Sequence, residues 1–248
     1  MTKKAFRQFS EEQVPYCWGV VEDKYQQLYF LNFKVSLQKF DGKTISTLRE
    51  KKRSLEFSKE FKKQDYHPSN DSSNDWYYKP LKDKFDNIWL PHVSGIFRYD
   101  YQKWQFFTHK QGEPMAFCLA EDKKRNKIVA SGYNQLYTVQ SQSPTGIEFI
   151  KDTARIFTSL INSVVVSPNH EYWFSGYGIG RYNPDNKQFK YYTLDNHKIA
   201  TKGVLGLYFD WQGTLWAMSW QMYGFSVIYK RNFVISYFSN EGFEYPFL

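Results

Sequence analysis

Cysteine is scarce in this chain: Cys17 and Cys118 are the only two. No CxxC pair and no Cys/His spacing of the zinc type occurs, which excludes a structural zinc site. Histidine is equally sparse, at positions 67, 92, 109, 170 and 197. None of the five stands in a helical H-x-x-x-H or H-E-x-x-H arrangement, so a metalloprotease-type centre is excluded as well. Neither a G-x-S-x-G elbow nor a P-loop is present. No apolar run approaches the length of a membrane span. The start, "MTKKAFRQFSEEQ", carries charge but no apolar core, so it is not a signal peptide. No sustained i, i+3, i+4, i+7 stripe runs through the sequence, which argues against a helical bundle.

The charge balance is basic, with a formal net charge of +8 and a pI of about 9.2. A basic balance can serve nucleic acid or an anionic surface. Here the basic residues are scattered. The one dense run, "REKKRSLEFSKEFKKQ" at residues 49–64, is interrupted by Glu50, Glu56 and Glu60 and reads as a solvated charged face. Neither a nucleic-acid partner nor a membrane contact is expected of this segment, and no cofactor or metal is called for.

What the sequence has in abundance is aromatic residues: 22 Phe, 20 Tyr and 8 Trp make up 20% of it. Such residues favour strands. They also recur. Segments beginning at Val20, Pro80, Leu119, Val165 and Tyr208 align on a short apolar pair that follows an acidic turn. The shared position is Tyr29, Trp89, Val129, Trp173 and Trp216, with successive gaps of 60, 40, 44 and 43 residues. A period of 40 to 45 residues with strand-like patterning marks a β-propeller blade.

Each copy reads as four strands. An apolar first strand ends at Asp23, Asp83, Asp122 or Asp210, with Ser167-Pro168-Asn169 doing this work in the fourth copy. Second strands follow as L-Y-F, I-W-L, I-V-A, Y-W-F and L-W-A. A third strand carries Tyr or Phe near its end ("IFRYD", "IGRYN", "SVIYK"). The fourth is "WQFF", "QFKYY" or "NFVISYF". Asp, Asn and Gly in the turns supply the left-handed and Asx geometries of hairpins. The fold class is therefore all-β: a propeller of four-stranded antiparallel blades. About five units are present, near residues 11–48, 76–108, 115–150, 160–193 and 203–238, with an insertion near 49–75.

The phrase D-x-x-G-x-L-W, then G-x-x-x-Y, then x-F-x-x-Y resembles the two-component regulator propeller repeat. "DWQGTLWAM…GFSVIYKRNFVISYF" is the best copy and "SPNHEYWFSGYGIGRYNPDNKQFKYY" the next. The third copy departs, lacking the Trp and placing Asn126-Lys127 where Gly belongs. The resemblance covers most of residues 15 to 240. It implies the extracytoplasmic, periplasmic sensing part of a bacterial hybrid histidine kinase or related regulator, whose ligands are often glycan fragments. Its partners would be a small ligand and the neighbouring domains of the parent signalling protein.

At the ends, "AFRQFS" (residues 5–10) reads as the last strand of a preceding blade, and "NEGFEYPFL" as a lead-in to another first strand. Either the two ends pair to close a ring, or the chain is a fragment of a larger propeller. The fragment is favoured because an open sheet edge is an aggregation liability.

Blade geometry sorts the loops onto two faces. Turns one-two and three-four share the tight-turn face, with Trp211 and His170. Loops two-three and the inter-blade connections share the other, and loops carry function. Candidate ligand-binding residues on that second face are Trp220, Gln221, Tyr223, Tyr177, Tyr133 and His92, with Trp76 from the insertion. Ser94 and Asn134 lie in the same loops, and Lys34 on the first unit's loop could select an acidic sugar. Aromatics beside amides and hydroxyls suit a sugar, whose ring faces stack while its hydroxyls need partners. For each aromatic taken singly, packing between blades is the competing reading. No catalytic set is expected, since one loop histidine is not a mechanism; a propeller enzyme of the streptogramin-lyase or lactonase type and a protein-interaction propeller are the alternatives. Cys17 and Cys118 fall on first strands of non-neighbouring units and are expected to be buried thiols outside any disulfide.

Overall fold

The computed structural model describes residues 9–10, 12–14, 17–32, 36–49, 79–92, 95–102, 104–107, 116–132, 135–141, 147–150, 161–193, 203–219, 224–229, 232–239 and 242–243. The insertion after Arg49 lies outside them, as does most of "AFRQFS". The described residues form five sheets, each ordered along the chain. The first holds β1 (Cys17–Glu22), β2 (Leu28–Asn32), β3 (Ser36–Phe40) and β4 (Ile45–Arg49). The second holds β5 (Leu81–Lys82), β6 (Ile88–His92), β7 (Gly95–Tyr99) and β8 (Trp104–Phe107). In the third are β9 (Cys118–Asp122), β10 (Lys127–Ser131), β11 (Leu136–Gln140) and β12 (Ile147–Phe149), and in the fourth β13 (Ser163–Val166), β14 (Tyr172–Gly176), β15 (Gly178–Asn183) and β16 (Gln188–Tyr192). The fifth has β17 (Val204–Phe209), β18 (Leu215–Ser219), β19 (Gly224–Tyr229), β20 (Asn232–Ser239) and a two-residue β21 (Gly242–Phe243). These are the blades of a β-propeller. Gly242–Phe243 pairs back onto β20 as a fifth strand, where the sequence suggested a lead-in to a new blade.

The chain divides into two compact units, one of Met1–Val93 and Phe97–Phe106, the other of Ser94–Ile96 and Phe107–Leu248. Within the first, Tyr29 of one blade packs with Ile88, Leu90 and Phe97 of the next. Phe9 sets its ring edge-on against Phe30 and Phe40. The close approach of the two first strands requires Gly19, because a Cβ there would stand 2.6 Å from the Pro80 ring. Within the second unit, Ala120 and Val129 of the third blade meet Val164, Tyr172 and Phe174 of the fourth. In turn Trp173 of the fourth meets Val204, Leu207, Leu215 and Ala217 of the fifth.

Strand alternation explains why the second strands are apolar throughout rather than at every second residue. In β14, Tyr172 and Phe174 face the preceding blade while Trp173 faces the following one. A strand buried on both faces needs apolar side chains on both. Trp173 stacks on Tyr192 with centroids 5.7 Å apart and meets Phe209 edge-on. A further regularity follows from "IFRYD" and "IGRYN": Arg98 lies over the Trp89 ring and Arg181 over Trp173, at 5.8 and 5.7 Å. The first also reaches Asn87 and Gln105, and the second is paired with the nearly buried Glu171.

The acid that ends each first strand has a definite task. Oδ1 of Asp83 accepts from Phe85 N and Asn87 N at 2.9 Å, holding the turn shut. Asp23 does the same for Tyr25 N and Gln27 N, and Asp210 for Gln212 N and Thr214 N. The other oxygen reaches the indole of the shared tryptophan: Trp89 Nε1 donates to Asp83 Oδ2 at 2.7 Å and Trp216 Nε1 to Asp210 Oδ2 at 2.9 Å. One side chain thus caps the hairpin and fixes the blade-packing ring. Each of these turns needs one left-handed residue. It is Gly213 in the fifth blade but Gln26, Asp86 and His170 in the first, second and fourth, and Asn126 in the third.

Three blades depart from this rule. In the first, the shared residue is Tyr29, which offers no indole. In the third, Val129 offers no indole, and the buried Asp122 carboxylate takes the Tyr172 hydroxyl of the fourth blade at 2.8 Å and Arg125 at 2.7 Å. Burial, then the hydrogen bond to Asp122, pushes the Tyr172 phenol well above its ordinary ionisation range. In the fourth, Ser167 replaces the acid. Its hydroxyl accepts from Glu171 N, but the Trp173 indole N–H has no acceptor within reach among the described residues.

The cysteines are on β1 and β9 and form no disulfide, as expected. The expectation of burial fails: Cys17 is exposed and Cys118 half-buried. Both lie at the first residue of their strands, where the sheet meets its loops.

Candidate functional site

Of the residues proposed from the sequence, Tyr177 is the one whose side chain the structure describes. Trp76, Tyr133, Trp220, Gln221 and Tyr223 lie outside the described residues, and so do Lys34, Ser94 and Asn134. His92 is placed as the last residue of β6.

Tyr177 stands at the tip of the reversal between β14 and β15, where Gly176 pairs directly with Gly178. This is a one-residue turn, not the long loop the sequence suggested for that face. Its tightness depends on Gly178, which has φ +124°. A Cβ there would fall 2.7 Å from the Tyr192 carbonyl oxygen and 2.8 Å from the Tyr191 hydroxyl. The Tyr191 hydroxyl donates to the Tyr177 carbonyl and clamps the tip. Burial pushes the Tyr191 phenol up. The clamped backbone leaves the Tyr177 ring 65% exposed. A ring held outward on a rigid turn loses little entropy when a ligand stacks on it.

Below this tip lies a seam of small polar groups that the sequence reading did not single out. Cys118 Sγ donates to the Asn162 carbonyl at 3.0 Å, and Cys118 N to Ser131 Oγ at 3.1 Å. Asn162 N donates to the Ser175 carbonyl, and its side-chain amide to the Val204 carbonyl. The seam therefore ties the loop-side ends of three successive blades together. Ser175 is fully buried, and its hydroxyl has no partner among the described residues. The signal was present in the sequence as a repeated Ser-Gly-Tyr: Ser131-Gly132-Tyr133 and Ser175-Gly176-Tyr177 occupy the same place in two copies.

The tight-turn face of the second unit carries charge. Arg125 bridges Asp122 and Asp185 and donates to the His170 carbonyl at 3.1 Å. His170 Nδ1 lies 3.7 Å from Asp122 Oδ1. Apart from the Arg125–Asp122 pair, which lies within the third blade, these contacts join the turns of blades three and four, so the cluster is a latch between them. His170 is a turn residue, as the sequence indicated. Trp211, in the fifth blade's turn, is 90% exposed. In the first unit a shallow hollow of about 480 Å³ is lined by Glu12, Gln13, Gln38, Lys43, Thr44 and Ile45, and none of the expected site residues borders it. Among the described residues no cluster of His, Cys, Asp and Glu could hold a metal, and no helix is long and apolar enough to cross a membrane.

No family profile matches the sequence, and no curated protein matches it. Solved structures do. The extracellular domains of a putative hybrid two component system and of a putative one component system, both from B. thetaiotaomicron, superpose with TM-scores of 0.69 and 0.64 at 18% and 14% identity. The alignments cover 95% and 92% of this chain but 30% and 28% of those chains, so the sequence spans about a third of their length. Virginiamycin B lyase from Staphylococcus aureus is also similar, with a TM-score of 0.62 at 12% identity, over 86% of this chain and 66% of the lyase. These likenesses establish what the repeat and the five sheets had indicated: the chain has the fold of a β-propeller, shared with extracellular domains of the class its repeat resembles.

Proposed function

We propose that the chain is the ligand-sensing propeller segment of a bacterial two-component signalling protein. It takes a small ligand, a glycan fragment, on the face bearing the loops between second and third strands. The observation that carries this reading is positional. Four residues past the shared second-strand position stand Tyr133, Tyr177 and Trp220, in three consecutive blades. At the described member of this set, the ring is 65% exposed on a clamped turn. Blade-packing aromatics are buried, so an aromatic repeated where the fold leaves it in solvent is available for stacking. Hydroxyls and amides of the same loops, Gln221 and Tyr223 among them, would meet the sugar hydroxyls. Binding would alter how the propeller meets the neighbouring domains of its parent on the extracytoplasmic, periplasmic side.

The test is a glycan array followed by calorimetry on the hits. Tyr177→Ala and the pair Trp220→Ala with Tyr223→Ala should each weaken binding, at about 1–3 kcal/mol for each lost stacking partner. Unchanged affinity in all of these variants would refute the site. The lyase likeness favours a second, enzymatic reading. Its test is incubation with virginiamycin B, where cleavage by the chain would overturn the sensing reading.

A further inference from the structure

The turns of blades one and two meet as those of blades three and four do, but with different chemistry. In the later pair, Asp185 of the fourth blade's three-four turn reaches Arg125 of the third blade's one-two turn, and Arg125 also satisfies the buried Asp122 Oδ2 at 2.7 Å. In the earlier pair, Tyr101 of the second blade's three-four turn meets Tyr25 of the first blade's one-two turn. Their ring centroids are 5.6 Å apart and their planes cross at 89°. The ammonium of Lys24 stands in the corner between them, 5.3 Å from the Tyr25 centroid and 5.0 Å from that of Tyr101. Two ring faces at right angles make a seat for a cation, since each attracts it through its quadrupole.

Asp23, next in sequence, is 3% exposed. Its Oδ1 accepts from Tyr25 N and Gln27 N, whereas its Oδ2 has no well-formed hydrogen bond among the described residues. The same oxygen accepts an indole N–H in the second and fifth blades, and Arg125 with the Tyr172 hydroxyl in the third. In the first blade Tyr29 stands where the indole would be and Gln26 where the third blade has Arg125. The Tyr101 hydroxyl, buried beside the Lys24 N–H, also lacks a well-formed hydrogen bond. Burial, then the carboxylates of Asp23 and Asp86, push the Tyr101 phenol up, so both anions face this corner. A buried carboxylate oxygen without a donor is costly, and a donor that reaches it is held strongly.

We propose that this corner is a binding site for an organic cation bearing N–H groups, a primary ammonium or a guanidinium, which replaces the Lys24 ammonium between Tyr25 and Tyr101 and donates to Asp23 Oδ2. Lys24 marks the place without completing the contact: its ammonium lies over the rings and forms no ion pair with Asp23. It is also displaceable. Lys24 is exposed and Tyr25 is 61% exposed, so both side chains can swing aside while the Asp23 cap keeps the turn backbone in place. Asp86 is engaged by Lys82 at 3.8 Å, which leaves Asp23 as the anion for the ligand. The rings select for a cation, and the carboxylate oxygen selects among cations for one that can donate. Every residue of the site belongs to the first unit, on the tight-turn face, and the inference does not depend on the glycan site.

The test is an NMR titration of the 248-residue chain carrying ring-labelled tyrosine, with n-butylammonium, methylguanidinium and tetramethylammonium as probes. The first two should move the Tyr25 and Tyr101 signals saturably. Tetramethylammonium, which has no N–H, should bind about tenfold more weakly. Lys24→Ala removes the resident competitor and should tighten butylammonium about tenfold. Tyr25→Leu keeps the bulk but not the ring face, and should weaken it about threefold or more. Both substitutions are at exposed positions, so the fold is retained. Absence of a saturable shift in both the original chain and Lys24→Ala would overturn the proposal. Equal affinity for the three probes would overturn it too, because general charge attraction would then suffice. So would an affinity that Lys24→Ala leaves unchanged or lowers, or that Tyr25→Leu leaves unchanged, since the cation would then sit elsewhere.

Discussion

Replacing Asp83 with alanine should cost about 3–5 kcal/mol of stability, far more than the same change at Asp210. Both acids do the same work in their blades. Asp83 is 3% exposed and receives Phe85 N, Asn87 N, the Asn87 amide and the Trp89 indole. Trp89 is fully buried, so no water can replace the lost carboxylate. Its indole N–H is then an unsatisfied buried donor, worth about 1–3 kcal/mol on its own. Loss of the charged cap on the turn amides adds a similar amount. At Asp210 the partner Trp216 is partly in water, and solvent can take over the indole hydrogen bond. The assay is urea unfolding of each variant followed by tryptophan fluorescence, with the slope compared as well as the midpoint. Asp83→Ala should move the midpoint strongly and Asp210→Ala slightly. Equal shifts would refute the argument that burial of the shared tryptophan sets the value of the acid.

Arg125→Ala should destabilise by about 3 kcal/mol, because it strips the buried Asp122 of its cationic partner; a loss below 1 kcal/mol, measured by the same unfolding assay, would mean that the Tyr172 hydroxyl alone suffices. Gly178→Ala should lower the melting temperature and disturb the Tyr177 tip, since the added methyl would meet the Tyr192 carbonyl; an unchanged melting temperature would show that the turn has room. Asp41 is held down to about 2 by the N–H groups of Thr44 and Lys43 and by the Thr44 hydroxyl. Its folded value lies below its unfolded one, so the stabilisation is complete above pH 3.8 and is lost as the pH falls toward about 2. An NMR titration placing the Asp41 midpoint at its ordinary value would contradict that hydrogen-bond geometry. Asp210 is lowered too, first by the Trp216 indole, and titrating it in Trp216→Phe should return it toward normal.

The sequence by itself determined the architecture. A period of 40 to 45 residues is a statement about chain length per blade. Unbroken apolar second strands are a statement about burial on both faces, and neither depends on partners far away in the chain. Tight turns were legible for the same reason, because the caps of Asp23, Asp83 and Asp210 act within four residues. So was the contrast of Trp89 and Trp173, which are buried, with Trp211, which stands in solvent. Trp216 was legible as a packing residue, but its partial exposure was not.

Tertiary structure decided what depends on contacts between repeats. Val129 looked like a defect of the third copy, yet the next blade's Tyr172 fills the place beside Asp122. That pairing joins residues fifty positions apart, and no local pattern encodes it. Ser131, Asn162 and Ser175 read as ordinary small residues until the blades bring them into one seam. Cys17 and Cys118 were assigned to the interior from their residue type, but position at the strand ends leaves them exposed and half-buried. Tyr208, Trp216 and Met218 obey the repeat, and only the tertiary structure shows them 65%, 37% and 55% exposed. Local pattern specifies which side chains a blade offers; whether they are met is a property of the blades beside it.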